Sequence, residues 1–295
     1  MFRIGIIGTE NSHAMAFARL INLPDDATGR RLWEDAKVVG VYGPDLESAQ
    51  AVYQEGRADF IAESPDDFIG RVDAMMITSR RGSVHYDYAI PFIDKGLPVF
   101  IDKPFTTDIE QSEMLIRRAR ETGALLAGGS GCKYSWDVLI LKNRVEELRK
   151  NNALLGASMN FAADLESEYD GFHFYAPHLT EMALTMFGDR VRGVRASENN
   201  GSVTAVAHYD DCDVALHYTK GSAMSSCLLF GKESNYYREV DISMIYRYEV
   251  KYFIDMLRTG IMPQSYEALV QPVYFVNGVL ESLKTGRPVE FQYRE

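Results

Sequence analysis

The chain has 295 residues, of which 46% are hydrophobic and 25% charged, and its formal net charge is −11. This composition excludes disordered, collagen-like and coiled-coil proteins, and the acidic balance argues against nucleic acid or an anionic membrane surface as the main partner. The three cysteines, Cys132, Cys212 and Cys227, form neither a CxxC pair nor a disulfide framework. They predict a reducing compartment, the cytoplasm.

The amino terminus runs from Met1 directly into a strand-like segment that ends at Gly8. A secretory signal would need a basic start, an apolar core and a small-residue cleavage site. No window approaches the ~18 uninterrupted apolar residues of a membrane span. We therefore expect a soluble, cytoplasmic protein without a membrane partner.

Short apolar runs alternate with amphipathic stretches over residues 1–128. The predicted strands are Arg3–Ile7, Lys37–Tyr42, Ala74–Thr78, Val99–Ile101 and Leu125–Ala127. The predicted helices are Met15–Leu23, Leu46–Glu55, Tyr86–Lys95 and Ile109–Glu121. This alternation is typical of a parallel sheet that is covered by helices on both faces, an α/β fold.

The pattern changes in the second half of the chain, where apolar and polar residues alternate within short segments. Strands are predicted at Ala157–Ala163, Val191–Ser197, Ser202–His208, Val214–Tyr218 and Ser225–Phe230, and helices at Pro177–Phe187, Ile245–Thr259 and Glu267–Leu283. Such alternation indicates a mostly antiparallel sheet with one covered face, in an α+β domain.

The turn after the first predicted strand is a candidate dinucleotide site. Such a site has the pattern G-x-G-x-x-G, which lets the backbone approach a pyrophosphate at a helix amino terminus. Gly8 occupies the first glycine position, but Glu10 and His13 occupy the other two. A ligand-free βα turn is therefore an open alternative, and a carboxylate at Glu10 would repel a pyrophosphate. Further candidate phosphate donors in this turn are Thr9, Asn11 and Ser12.

The end of the second predicted strand is where an acidic residue usually binds the adenosine ribose. Gly43 occupies that position, and Asp45 follows two residues later. Asp45 is equally suited to be the N-cap of the next helix. Both interpretations stay open.

An acid, a lysine and a proline follow the strand that contains Val99–Ile101, at the edge of the sheet where open α/β proteins bind ligands. The triplet Asp102-Lys103-Pro104 resembles the Glu-Lys-Pro triplet of the Gfo/Idh/MocA oxidoreductases, with aspartate in place of glutamate. The resemblance covers the whole chain. Its other elements are Asp73–Thr78 followed by His85, Lys133-Tyr134, Leu155-Gly156, Leu257–Gly260 and Thr285–Val289.

The resemblance implies an NAD(P)-binding Rossmann domain with a doubly wound parallel sheet at 1–128. A substrate-binding and oligomerisation domain follows at 129–295. It implies NAD or NADP as cofactor, with Lys103 placed between nicotinamide and substrate, where a cation stabilises a developing alkoxide. The remaining residues that it assigns to the cofactor edge are Thr78, Ser79, Arg80, His85, Asp102 and Pro104. For Arg80, a solvated arginine is an equal alternative.

The second catalytic motif of that family is Asp-x-x-x-His at the start of a helix. Here His178 matches the histidine and Phe174 stands in place of the aspartate. His173 or Tyr175 could replace the missing polar group, and otherwise His178 needs another residue to orient it. Lys133 and Glu181 complete the implied substrate contacts. Metal binding by His173, His178 and Glu181 is an alternative that we do not adopt.

The resemblance implies hydride transfer between NAD(P) and a secondary alcohol of a sugar, cyclitol or related polyol, in a homodimer or homotetramer. Two alternatives stay open. One is a redox-neutral glycosidase that uses bound NAD transiently. The other is a degenerate ligand-binding protein, which Glu10, His13 and Phe174 favour.

Overall fold

The computed structural model describes residues 1–222 and 224–292, and the chain divides into two units. The first unit comprises 1–129 and 246–269, and the second comprises 130–245 and the residues from 270 onward. The sequence suggested two consecutive halves, 1–128 and 129–295. The structure differs at the segment 246–269, which packs with the amino-terminal unit.

The first unit is built on a six-stranded parallel sheet with the strand order β3-β2-β1-β4-β5-β6. Its strands are β1 (Phe2–Ile7), β2 (Ala36–Tyr42), β3 (Phe60–Ile61), β4 (Ala74–Ile77), β5 (Val99–Asp102) and β6 (Leu126–Gly129). Its helices are α1 (Ser12–Asn22), α2 (Leu46–Glu55), α3 (His85–Ile93) and α4 (Ile109–Thr122). The predicted Rossmann-type α/β sheet is confirmed, and the carboxyl ends of all six strands meet at one edge.

A carboxy-terminal helix, α7 (Ile245–Thr259), explains why 246–269 belongs to the first unit. Val250, Phe253 and Ile254 are fully buried in the same apolar cluster as Phe17 and Phe100. The rings of Phe100 and Phe253 pack edge to face with centroids 5.8 Å apart. Burial of these side chains holds the segment to the parallel sheet, since each buried side chain of this size contributes about 1.5–3 kcal/mol.

The second unit contains a seven-stranded sheet with the order β12-β11-β7-β10-β9-β8-β13. Among the described residues of this sheet, β7 and β10 are the one pair of strands that run parallel, so the predicted mostly antiparallel sheet is confirmed. The strands are β7 (Leu154–Ala162), β8 (Gly193–Asn199), β9 (Ser202–His208), β10 (Asp213–Thr219), β11 (Ser226–Gly231), β12 (Asn235–Glu239) and β13 (Val289–Glu290). The helix α6 (Ala176–Phe187) packs against β7 and β10.

Two helices complete this part of the chain, α5 (Trp136–Lys150) and α8 (Tyr266–Thr285). Helix α5 was not predicted, although its sequence carries the usual signals. Ser135 caps it by accepting from the Asp137 amide, and Arg149 and Lys150 lie in its last turn, where cations are favourable. In the described part of the chain, no helix combines the length and hydropathy that crossing a membrane requires.

Candidate functional site

The turn between β1 and α1 brings the backbone close to the loop after β4. Gly8 has φ of +109°, and a Cβ atom there would lie 2.2 Å from the Ser79 amide nitrogen. Only glycine fits this position, because any side chain would overlap backbone atoms. Helix α1 then begins at Ser12, with Asn11 as its N-cap.

Backbone amides at this helix start are available to an anion. Within residues 1–222 and 224–292, the amides of Thr9, Glu10 and Ser12 donate no hydrogen bond, and the first turn of α1 contains no acidic residue. The Thr9 hydroxyl lies 2.9 Å from Ser48 Oγ, and Asn11 Nδ2 donates to the Thr78 carbonyl at 2.8 Å. The turn thus fits a pyrophosphate through its backbone amides, while the Thr9 and Asn11 side chains already have partners.

Glu10, the residue at the second glycine position, directs its carboxylate toward the loop after β4. Its Oε1 accepts from the Arg80 amide at 3.0 Å, and the Arg80 guanidinium donates to the Glu10 carbonyl at 2.6 Å. Arg80, which the sequence offered as a phosphate ligand, is thus engaged with Glu10. The pair ties the β1–α1 turn to the β4 loop.

Replacement of Glu10 by glutamine tests whether its charge weakens nucleotide binding. Glutamine retains an oxygen that can accept from Arg80 and removes the negative charge beside the turn. We expect NAD or NADP to bind several-fold tighter, an effect of about 1 kcal/mol for a partly exposed charge, and the gain should shrink with added salt. Calorimetric titration at low and high salt measures it. Unchanged affinity would show that Glu10 is no obstacle.

The end of β2 offers no carboxylate to a ribose at the expected position. A Cβ atom on Gly43 would lie 1.8 Å from Thr9 Oγ1. Asp45 is the N-cap of α2, where it accepts from the Ser48 amide at 2.7 Å and from the Ser48 hydroxyl at 2.8 Å. These hydrogen bonds lower the pKa of the Asp45 carboxyl. The structure thus places Asp45 in the capping role.

The carboxyl end of β5 carries a fully buried aspartate. Asp102 Oδ2 lies 2.7 Å from His13 Nδ1, and Asp102 Oδ1 accepts from the Lys103 amide at 2.8 Å. Asn11 Nδ2 approaches the same carboxylate at 3.5 Å. Burial alone would raise the pKa of Asp102, but His13 and Lys103 outweigh that effect and hold it below its usual value. His13 stands at the third glycine position, and its side chain pairs with Asp102, a contact that a glycine could not make.

His85 connects the loop after β4 to the triplet. Its Nδ1 lies 2.7 Å from the Pro104 carbonyl oxygen and its Nε2 lies 2.8 Å from that of Ser79. The ring is completely buried, and burial lowers its pKa. Thr78 is also buried and donates to the Ile7 carbonyl at 3.1 Å. These contacts position the segment that carries Lys103, whose side chain is itself 3% exposed.

The second unit brings together four buried side chains around the start of α6, Ser130, Lys133, His178 and Glu181, which we call the histidine cluster. Lys133 Nζ donates to Glu181 Oε2 at 2.9 Å, and the Ser130 amide donates to Glu181 Oε1 at 2.7 Å. Ser130 Oγ lies 2.7 Å from His178 Nδ1. Three residues that the sequence named, Lys133, His178 and Glu181, are thus in one network.

Aromatic side chains pack around His178. The His178 ring lies 5.2 Å from the rings of Phe161 and Tyr175. Phe174 packs against Tyr169 and Tyr175, so this position provides no carboxylate.

The other histidine that the sequence named, His173, makes its contacts away from the histidine cluster. It lies against Asp170 and Asn277, and burial lowers its pKa. Among the described residues, no three His, Cys, Asp or Glu side chains are grouped to hold a metal ion. The Glu181 carboxylate is instead engaged by Lys133 and Ser130.

Two members of this site were not foreseen, Ser130 and Cys132. Besides the contact of Ser130, Cys132 Sγ lies 3.4 Å from His178 Nδ1. Both residues directly follow the last parallel strand, β6. Since ligands gather at the carboxyl ends of such strands, their position was a signal that could have identified them.

Comparison with solved structures shows similarity across the chain. The myo-inositol dehydrogenase of Corynebacterium glutamicum is 18% identical, with a TM-score of 0.79 and coverage of 100% of both chains. The scyllo-inositol dehydrogenase of Lactobacillus casei, solved with NAD(H) and scyllo-inositol, is 13% identical. Its TM-score is 0.82, with 98% of this chain and 99% of that chain covered. At these identities the likeness shows the fold.

Sequence comparison finds two matches, each to part of the chain. The chain is 24% identical over 190 residues to the uncharacterized oxidoreductase YdgJ of Escherichia coli, a match that covers 55% of this chain and about half, 52%, of that protein. Residues 2–130 match the model of the GFO_IDH_MocA family, described as an oxidoreductase family with an NAD-binding Rossmann fold. This match covers less than half of the chain and identifies residues 2–130 as an NAD-binding Rossmann domain of the Gfo/Idh/MocA type.

Proposed function

We propose that this protein is an NAD(P)-dependent dehydrogenase that transfers hydride between nicotinamide and a secondary alcohol of a cyclitol, sugar or related polyol. The observation that carries the proposal is the buried Asp102-Lys103-Pro104 turn at the carboxyl end of β5. It presents a lysine at the edge of a family fold that binds NAD. The inositol dehydrogenases with the same fold favour cyclitols as the first substrates to try.

The residues that would hold the cofactor lie in the first unit. The backbone amides of Thr9, Glu10 and Ser12 suit the pyrophosphate, and Gly8, Thr78 and Ser79 hold the turn that presents them. The nicotinamide supplies hydride donation and acceptance at carbon. Because neither Gly43 nor Asp45 offers a carboxylate to the ribose, the side chains in this region leave NAD and NADP as equal candidates.

Each unit offers one candidate residue for the chemistry. Lys103 is the candidate acid–base group of the first unit, since an amine can accept the hydroxyl proton and an ammonium can stabilise an alkoxide. In the second unit, His178 is the candidate for a hydrogen bond to the substrate. Lys133, Glu181 and Tyr175 are neighbours of His178 that would define the substrate pocket.

The test begins with the purified protein. Bound nicotinamide is sought by absorbance and by mass spectrometry after denaturation, and reduction of NAD and NADP is followed with myo-inositol, scyllo-inositol and a panel of sugars. We expect reduced cofactor to appear in proportion to an oxidised product. Each substrate is assayed against a control lacking it.

Other results would replace this proposal. Cleavage of a glycoside without net cofactor reduction would indicate the redox-neutral glycosidase. Absence of nucleotide binding at millimolar concentration would indicate the degenerate ligand-binding protein, for which Glu10 and Phe174 are the favouring residues. Either result would reject the dehydrogenase.

We also propose a cytoplasmic homodimer or homotetramer that associates through the open face of the seven-stranded sheet. That face carries the half-buried side chains of Ser158, Thr204 and His217, which hydrogen-bond across three strands. Light scattering on the eluting protein measures the assembly. A monomer at micromolar concentration would contradict the proposal.

A further inference from the structure

Ser130 lies against one ring nitrogen of His178 in the histidine cluster. The residue is fully buried, and its Oγ lies 2.7 Å from His178 Nδ1. Its own amide is held by Glu181 Oε1 at 2.7 Å, and Glu181 is in turn bound by Lys133. The serine is therefore fixed on its backbone side, and its hydroxyl is fixed against one imidazole nitrogen.

A count of donors and acceptors gives the direction of this hydrogen bond. The Cys132 amide donates to Ser130 Oγ at 3.2 Å and uses one lone pair of the hydroxyl. The serine proton then needs an acceptor, and among the described residues its partner for that proton is His178 Nδ1. If Nδ1 carried a proton instead, the buried hydroxyl would lose its acceptor, which is unfavourable.

We infer that Ser130 holds neutral His178 in the tautomer that carries its proton on Nε2. His178 is then a hydrogen-bond donor to the substrate oxygen and does not act as a base. Phe174 is consistent with this, since the position provides no carboxylate to stabilise an imidazolium.

The role toward substrate rests on the proposed dehydrogenase function. In the oxidation direction, a bound NAD(P)⁺ would accept the hydride from the carbinol carbon, and the hydroxyl proton would pass to a base as the carbonyl bond forms. His178 would keep its Nε2 proton and would donate a hydrogen bond to the substrate oxygen throughout. Since the oxygen gains negative charge on the way, this hydrogen bond strengthens in the transition state and acts on kcat.

The tautomer can be read by NMR on protein labelled with ¹⁵N-histidine. Long-range proton–nitrogen correlations distinguish a nitrogen that bears hydrogen from one that does not, and the signals of His178 are assigned by their loss in His178→Gln. We expect His178 to bear its proton on Nε2. Ser130→Ala should give a mixture of both tautomers, and Ser130→Thr should restore the single one.

Ser135→Ala is the matched control. Ser135 is also a buried serine, it accepts from the Asp137 amide at 3.2 Å and it donates to the Asp241 carbonyl at 2.7 Å. Its loss should lower stability and leave the His178 signals unchanged. The two alanine variants thus separate a structural effect from control of the tautomer.

Kinetics complete the test. Ser130→Ala should lower kcat at least about tenfold, a part of the ~10²–10³-fold that a positioned donor supplies, with KM nearly unchanged and activity recovered in Ser130→Thr. A proton on Nδ1 in the unaltered protein, or an unchanged tautomer in Ser130→Ala, would overturn the inference. If the tautomer responds as expected in a protein that transfers no hydride, control by Ser130 is supported and the dehydrogenase proposal fails separately.

Discussion

Replacing Lys103 with methionine is expected to lower kcat by ~10²–10⁴-fold, the range that a positioned acid–base group contributes. Lys103 is 3% exposed and directly follows a buried carboxylate at the end of β5. Methionine fills similar space without an amine. We expect nucleotide affinity to change little. The Lys103 amide still donates to Asp102, but stability should fall somewhat, because the Lys103 charge also favours the ionised form of the buried Asp102 carboxyl.

Two further variants sharpen this result. Lys103→Arg keeps the charge but cannot exchange a proton near neutral pH, so it should be nearly as inactive as Lys103→Met. Lys95→Met removes an exposed lysine of the same unit and should be fully active. Steady-state kinetics with both cofactors measure the effect. Retention of more than about a tenth of the activity in Lys103→Met would exclude a role in the chemistry.

The largest effect on stability is expected at His13. His13→Leu removes the imidazole that lies 2.7 Å from the fully buried Asp102 carboxylate. Loss of one partner of a buried ion pair leaves an uncompensated charge and lowers the free energy of unfolding by about 3–5 kcal/mol. Thermal and denaturant unfolding should show this as an early transition of the first unit.

The protein contains a matched control for burial. His208 Nδ1 and Asp213 Oδ1 lie similarly close, at 2.8 Å, but the two side chains are 41% and 64% exposed. His208→Leu should therefore lower the free energy of unfolding by no more than about 1 kcal/mol. Equal effects of the two substitutions would refute a special contribution from the His13–Asp102 pair.

The pH dependence provides an independent check on this pair. The pKa of Asp102 in the folded state lies below its usual value. Its pairing with His13 therefore stabilises the fold at every pH above the usual pKa range of a carboxyl group. That contribution is lost as the pH falls through the folded pKa. In His13→Leu, burial is opposed less and the carboxyl takes up a proton at higher pH. The stability difference between the two proteins should therefore shrink as the pH is lowered from 7 to 4, as followed by Tm. A constant difference would contradict the assignment.

The amino-acid sequence by itself predicted most strands of the two sheets and the resemblance to the Gfo/Idh/MocA oxidoreductases. Period-two alternation and β-branched runs are local properties, so predicted elements such as Leu46–Glu55 and Ser202–His208 match the structure residue for residue. The Asp102-Lys103-Pro104 triplet is contiguous and was therefore visible without coordinates. Glycine's role at residue 8 was likewise visible, because a tight βα turn demands it.

The tertiary structure alone decided which side chains became partners. In the sequence, His13 and Glu10 are departures from the G-x-G-x-x-G pattern. In the structure, His13 pairs with Asp102, about 90 positions away, and Glu10 binds Arg80, about 70 positions away. Helix α7 likewise joined the parallel sheet by burying Phe253 against Phe100 across more than 150 residues. Ser130 was found only through its contact with His178. Hydrogen bonds and packing between residues distant in sequence produce no periodic pattern of residue types. Only folding of the chain brings their atoms within reach of one another.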